Sequence, residues 1–167
     1  MVLKNENNCL IYIEKGKYAP RSDLLFVERK NVAVIIKYLN QYLFLSWNEV
    51  DYQMSLVTGG INDEETFEDA SRRETIEETG YYDIDSIIPI DALNISEFFV
   101  EHKNENRRAI YYPYLVTLKT LKRRNVTQEE NKKHTCIWYD EKHFNNIDLF
   151  DNHRYMLNKS KDLTDNK

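Results

Sequence analysis

Three glutamates, Glu74, Glu77 and Glu78, stand at i, i+3 and i+4 in a segment, Phe67 to Thr79, that contains no glycine or proline. On a helix this spacing puts them on one face, within about one turn of each other. Like charges that close destabilise a bare helix, and these lie near its C-terminal end, where the macrodipole also disfavours anions. A cation compensates such an arrangement. A ligand set made only of carboxylate oxygens suits a hard ion, Mg²⁺ or Mn²⁺, over zinc. Ions of that kind neutralise a pyrophosphate and lower the pKa of a bound water. Taken alone, Glu77-Glu78 would mean only an acidic, solvated helix face.

The positioning elements are written around the cluster. Thr66 with Asp69 three residues on reads as an N-cap pair, and Gly80 falls where a helix C′ glycine belongs. The chain has only 4 glycines, and Gly59, Gly60 and Gly80 bracket this one stretch. Glycine used so sparingly is expected where the backbone needs positive φ or close approach to a ligand. Upstream, strands are predicted over residues 8–14, 24–27, 32–36 and 42–47, and over 54–57 leading into Thr58-Gly59-Gly60. Downstream they are predicted near 84–90, 95–100, 109–118 and 135–139, with a polar hairpin over 119–133 and a short helix over 150–158. This order makes an α+β sandwich with a mixed sheet. The expected organisation is an N-terminal strand extension over 1–29, a main domain over 30–159 and a flexible tail over 160–167.

Composition narrows the setting. A chain of 167 residues, 41% hydrophobic and 31% charged, is the size of one ordinary domain, without a run apolar enough to span a membrane. Its start does not read as a signal peptide, and its 2 cysteines form no C-x-x-C, which fits a reducing cytosol. A net charge of −5 argues against an extended nucleic-acid surface while leaving room for a small phosphorylated ligand on a metal.

The stretch GGINDEETFEDASRRETIEETGY, Gly59 to Tyr81, places Gly59, Glu65, Arg73-Glu74, Glu77-Glu78 and Gly80 at fixed intervals. It resembles the signature of the Nudix hydrolases, G-x5-E-x7-R-E-U-x-E-E-x-G-U with U a bulky aliphatic. Thr75 and Tyr81 depart from it at packing positions. The resemblance extends over about residues 30 to 145 and implies a Nudix-type α/β/α sandwich with a mixed central sheet and a loop–helix–loop catalytic motif. It also implies Mg²⁺- or Mn²⁺-dependent hydrolysis of a pyrophosphate bond in a nucleoside diphosphate linked to another moiety. By the same resemblance Glu74, Glu77 and Glu78 hold metal, with Glu77 and Glu78 catalytic. Gly59, Glu65, Arg73 and Gly80 support the box, Arg73 by ion pairs that orient the glutamates, and the carbonyl of Thr58 or Gly59 reaches a metal.

Outside the box, many Nudix enzymes carry a glutamate in a downstream loop as metal ligand or general base. Of Glu129 and Glu130, the distance of Glu130 from Trp138 resembles the family better, and Glu130 is the expected catalytic residue. Phe98, Lys103 and Arg107 offer a base platform and a pyrophosphate grip. His134 and His143 have no ligand-like spacing and read as structural. The run SEFFVEHKNENR, with EENKKHTCIW later, is also similar to Nudix domains attached to some bacterial leucyl-tRNA synthetases. The competing functional class is a Nudix-fold module that senses a nucleotide without cleaving it; binding-only relatives commonly lose part of the glutamate cluster, which is intact here. The substrate within the class, and whether the N-terminal strands pair two copies into a homodimer, are left open.

Overall fold

The computed structural model describes residues 1–5, 9–48 and 54–163. The strands are β1 (Val2–Lys4), β2 (Leu10–Ile13), β3 (Phe26–Tyr38), β4 (Gln41–Trp47), β5 (Met54–Ser55), β6 (Val57–Gly60), β7 (Ile84–Pro89), β8 (Asn94–Val100), β9 (Glu105–Leu118) and β10 (His134–Asp140). The helices are α1 (Phe67–Thr79), α2 (Gln128–Lys133) and α3 (Asp151–Lys161). The sheet runs β1-β2-β8-β9-β3-β4-β10, with β5 on β4, β6 on β3 and β7 on β9. Pairing is parallel for β2–β8 and β3–β9 and antiparallel elsewhere, so the sheet is mixed.

The central strands are apolar on both faces, as a doubly covered sheet requires. Val32, Val34 and Ile36 of β3 join Leu43 and Leu45 of β4 in a core that takes Ala70 of α1. Their alternates Ala33, Ile35, Tyr42 and Phe44 join Met156 and Leu157 of α3 on the other side. One helix covers each face, giving the α/β/α sandwich. On the first face, Phe67 at the start of α1 stacks on Tyr112 with ring centres 4.2 Å apart. No described helix is long and apolar enough to cross a membrane.

Four boundaries differ from the expectation. β3 is continuous from Phe26, although Glu28-Arg29-Lys30 are exposed and charged, because β9 pairs with it in parallel from Phe26↔Asn106 to Lys37↔Thr117. β9 correspondingly starts at Glu105, after a tight turn closed by Asn104 at φ 47°. The polar stretch read as a hairpin contains α2, whose N-cap Thr127 accepts a hydrogen bond from Glu130 N–H at 3.2 Å. α3 continues to Lys161, past the expected start of the tail at residue 160, because Ser160 is fully buried and donates to Leu157 O at 2.7 Å. Residues 164–167 lie outside the described residues, as does residue 8 at the start of the first expected strand.

The segment expected as an extension is built into the sheet. β2 pairs with β8 from Leu10↔Asn94 to Ile13↔Glu97. The buried Asn106 clamps the stretch between β2 and β3: its amide donates to Arg21 O at 2.7 Å and Leu24 O at 2.9 Å, and its oxygen accepts from Arg21 N–H at 2.8 Å.

Candidate active site

Both ends of α1 are fixed as its sequence predicts. Thr66 Oγ1 accepts from Asp69 N–H at 3.1 Å and donates to Asp69 Oδ2 at 2.6 Å. Gly80 closes the helix at φ 79°, and a Cβ there would stand 2.3 Å from Arg124 O. Gly59 is required for a different reason: a Cβ on it would lie 1.8 Å from Cδ of Glu74. The missing side chain is the space that Glu74 occupies.

Arg73 is the hub of the polar network. Its Nε and Nη2 donate to the two oxygens of Glu65 at 2.7 and 2.9 Å, a bidentate fork. Nη2 also donates to Gly60 O at 2.9 Å, tying helix to loop. Nη1 reaches Glu74 at 2.5 Å and Glu77 at 3.1 Å. One guanidinium thus aligns both carboxylates while anchored by a third, which its planar fork can do and a lysine cannot. Arg73 holds the Glu65 carboxyl below the usual range. Glu74 is pushed up instead, because burial outweighs the same arginine.

Glu78 carries the electrostatic cost of this arrangement. Its Oε2 is buried without a hydrogen-bond partner among the described residues. Its pKa is pushed up to about 8, first by burial and then by the charges of Glu74 and Glu130. Glu130 is therefore near enough to act on Glu78 although 52 positions separate them in the sequence. Glu130 sits on α2, its side chain 22% exposed, with Lys133 Nζ donating to it at 2.7 Å. Glu129, at 83%, faces solvent.

Two residues outside the box brace this end. The buried His134 donates from Nε2 to Glu78 O at 3.0 Å, and its Nδ1 lies 4.0 Å from Glu130 Oε2. Arg123 Nε donates to Thr79 O at 2.6 Å and lies over the Tyr81 ring, placing a cation at the negative end of α1. Sequence reasoning missed Arg123, since nothing local links it to a helix more than forty residues away. The two departures from the signature are also accommodated. Thr75 is fully buried with its hydroxyl donating to Ser71 O at 2.7 Å, and Tyr81 accepts from Trp138 Nε1 at 3.0 Å.

Among the described residues, no three His, Cys, Asp or Glu side chains are grouped as a ready-made cation cage. Arg73 occupies that place between Glu74 and Glu77. The donor set is nonetheless all-oxygen, and the unpartnered Glu78 oxygen is a group that a divalent ion would satisfy, so the residues fit a hard cation. The other expected contacts separate. Phe98 lies on the α3 face of the sheet, packed against that core. Arg107, its partner on β9, is held by Glu105, and Lys103 lies in an exposed turn.

Residues 9–159 match the NUDIX domain. A NUDIX hydrolase from Listeria monocytogenes is similar in structure, with TM-score 0.63 at 18% identity over 81% of this chain and 94% of the other. The mutator MutT protein from Bacillus halodurans gives 0.60 at 13% identity over 78% and 80%, and MutT NUDIX hydrolase from Burkholderia pseudomallei 0.56 at 17% over 80% and 98%. No curated protein matches the chain. Identities this low show a common fold, whereas the domain match spans nearly the whole sequence, and on it the chain belongs to the Nudix hydrolase family.

Proposed function

We propose that the protein hydrolyses the pyrophosphate bond of a nucleoside diphosphate linked to another moiety, in the presence of Mg²⁺ or Mn²⁺. Glu74, Glu77 and Glu78 would hold the metal, which when bound supplies positive charge to the phosphates and makes a water more acidic. Arg73 keeps Glu74 and Glu77 aligned, so little side-chain ordering remains to be done when substrate arrives. Glu130 takes a proton from the attacking water, its carboxylate held in place by Lys133 Nζ at 2.7 Å. His134 fixes the end of α1 and stands behind Glu130. The observation that carries this reading is the buried, unpartnered oxygen of Glu78, whose charge is disfavoured by burial and by the carboxylates of Glu74 and Glu130 and would be compensated by a divalent cation.

The test is a panel of nucleoside triphosphates, ADP-ribose, dinucleoside polyphosphates, nucleotide sugars and capped RNA, each incubated with Mg²⁺, with Mn²⁺ and with EDTA. Release of a nucleoside monophosphate from at least one member, abolished by EDTA, is expected. Nucleotide binding without cleavage of any member would overturn the reading in favour of a sensing module.

A further inference from the structure

A cavity of about 440 Å³ lies between α2 and the segment that precedes it, and the proposed chemistry does not use it. Arg123, Arg124, Asn125 and Val126 form one side, and Gln128 and Asn131 of α2 the other. Among the described residues no carboxylate lines it, so its wall is cationic in a chain whose net charge is −5.

The backbone sets the two arginines in place. Arg124 N–H donates to Gly80 O at 2.8 Å, and Arg123 bridges Tyr81 in antiparallel fashion, so both lie along the glycine turn that ends α1. Consecutive rings then hold the side chains. The Arg123 guanidinium lies 5.5 Å from the ring centre of Tyr81, and that of Arg124 lies 4.8 Å from the centre of Tyr82. A ring covers the face of a guanidinium and leaves its N–H edge open. Arg123 uses only Nε, on Thr79 O at 2.6 Å. Among the described residues, its two Nη groups and the whole Arg124 guanidinium make no hydrogen bond or ion pair, and the side-chain amides of Asn125, Gln128 and Asn131 make none either. The acids of α2, Glu129 and Glu130, pair with Lys133 instead. Exposed arginines are ordinarily mobile and left to water. Here two are fixed side by side on one wall, their like charges uncompensated and their donors free.

We propose that this cavity binds a phosphate group, outside the carboxylate site of α1. The open edges of Arg123 and Arg124 clamp it, and the amides of Asn125, Gln128 and Asn131 donate to the remaining oxygens. A planar carboxylate would satisfy one guanidinium fork and leave the second charge uncompensated, whereas a tetrahedral dianion accepts from several directions and matches both. A neutral ligand would match neither. The site stands at the junction of α1 and α2, because Arg123 also holds Thr79 O and α2 supplies Gln128 and Asn131. Free orthophosphate and a phosphate carried on a larger molecule present the same oxygens to it.

The experiment titrates inorganic phosphate by calorimetry into the full chain, stripped of metal with EDTA and dialysed free of it. Mildly alkaline pH and constant ionic strength keep the ligand dianionic and general screening fixed. Saturable binding of one equivalent at millimolar affinity or tighter is expected, with sulfate competing and acetate not. Arg124→Gln is expected to weaken binding by about tenfold or more, and Arg124→Lys, which keeps the charge and loses the fork, by an intermediate factor. Lys103→Gln and Arg107→Gln remove cations elsewhere on the surface and should leave binding unchanged; circular dichroism checks each fold. No saturable binding, acetate competing as well as sulfate, indifference to Arg124→Gln, or an equal loss in Lys103→Gln or Arg107→Gln would overturn the proposal. Phenyl phosphate separates the two sources: its displacement of inorganic phosphate shows a site for a phosphate carried on a larger molecule, and its exclusion shows one for the free ion. The measurement needs neither metal nor turnover, so its outcome is independent of whether the nucleotide panel is cleaved.

Discussion

The two faces of the sheet are built in opposite ways. On the α1 face, the groups from Glu65 to Glu78 belong to a single loop and helix, and charge holds them: one arginine contacts three carboxylates. On the α3 face, a cavity of about 250 Å³ draws on residues from Glu14 to His153, and neutral groups and rings form most of its wall. Each face buries a histidine that braces a main-chain group. His134 donates to Glu78 O, whereas His153 accepts from Leu56 N–H. The first face is thus charged and local, the second largely neutral and dependent on the whole topology. Perturbations should separate them accordingly.

The largest expected effect is on turnover at the charged face. Glu78→Gln and Glu77→Gln remove a proposed metal ligand and should lower kcat by about two orders of magnitude or more while the chain still folds. Glu130→Gln removes the proposed base and should lower kcat by about 10²–10⁴-fold with little change in KM, because the lost interaction belongs to the transition state. Glu129→Gln, at a solvent-facing position, should be silent. Steady-state kinetics on whichever substrate the panel yields decides each case. Full activity in Glu77→Gln and Glu78→Gln together would break the assignment of the charged face.

Acid stability tests the neutral face. His153 titrates near 3 in the fold against about 6.5 in the unfolded chain, so above pH 6.5 both states are neutral and it contributes no pH dependence. Between pH 6.5 and 3 only the unfolded chain takes up the proton, and stability falls as pH falls, by at most about 5 kcal/mol. Urea midpoints of the parent measured from pH 7 to pH 4 should therefore fall relative to those of His153→Gln, which cannot charge; the opposite contribution of Glu78 is common to both proteins. An equal slope in both proteins would show that another group carries the acid sensitivity.

How much of this was legible in the sequence divides along the same line. The Phe67–Thr79 helix, its Thr66 cap and the Gly80 stop obey local rules, and the structure matches them residue for residue. α2 carried a local sign as well, Thr127 with Glu130 three residues on, but its six polar residues offered no apolar periodicity to draw attention. The charged start of β3 could not be read, since its partner is the far-off β9 and strand pairing overrides a polar local pattern. For the α3-face cavity, Phe98 was singled out for its aromatic character, whereas Glu14, Tyr18 and His153 carry no spacing that joins them. Arg107 and Lys103 drew attention as cations, but Glu105 and solvent hold them.

Metal-free stability sharpens the contrast at Glu78. Its folded pKa of about 8 lies above the ordinary 4.5, so below pH 4.5 it is protonated in both states and carries no penalty. Between pH 4.5 and 8 the folded state holds the proton more tightly, and stability falls as pH rises. In EDTA at pH 8, Glu78→Gln should therefore be more stable than the parent, by about 1–3 kcal/mol, since the amide still leaves a buried polar atom to satisfy. At pH 5 the two should nearly coincide. Lower stability of the variant at pH 8 would mean that the carboxylate is already paired without metal.

The smallest effect is expected at Tyr81, where the signature has an aliphatic residue. The ring is buried edge-on against Trp138, with centres 5.5 Å apart, and its hydroxyl accepts from the indole N–H at 3.0 Å. Tyr81→Phe keeps the ring packing and removes only the acceptor, leaving a half-buried indole N–H that solvent partly satisfies. The loss should be about 1 kcal/mol in chemical denaturation. Activity should be unchanged, because Tyr81 braces α1 beside Arg123 and touches none of the proposed metal-holding carboxylates. Tyr81→Leu restores the residue type of the signature but surrenders both the hydrogen bond and the aromatic contact, and should cost more than Tyr81→Phe. If leucine proves the more stable replacement, the tyrosine–tryptophan pair contributes nothing to this end of the box, and Arg123 alone secures it.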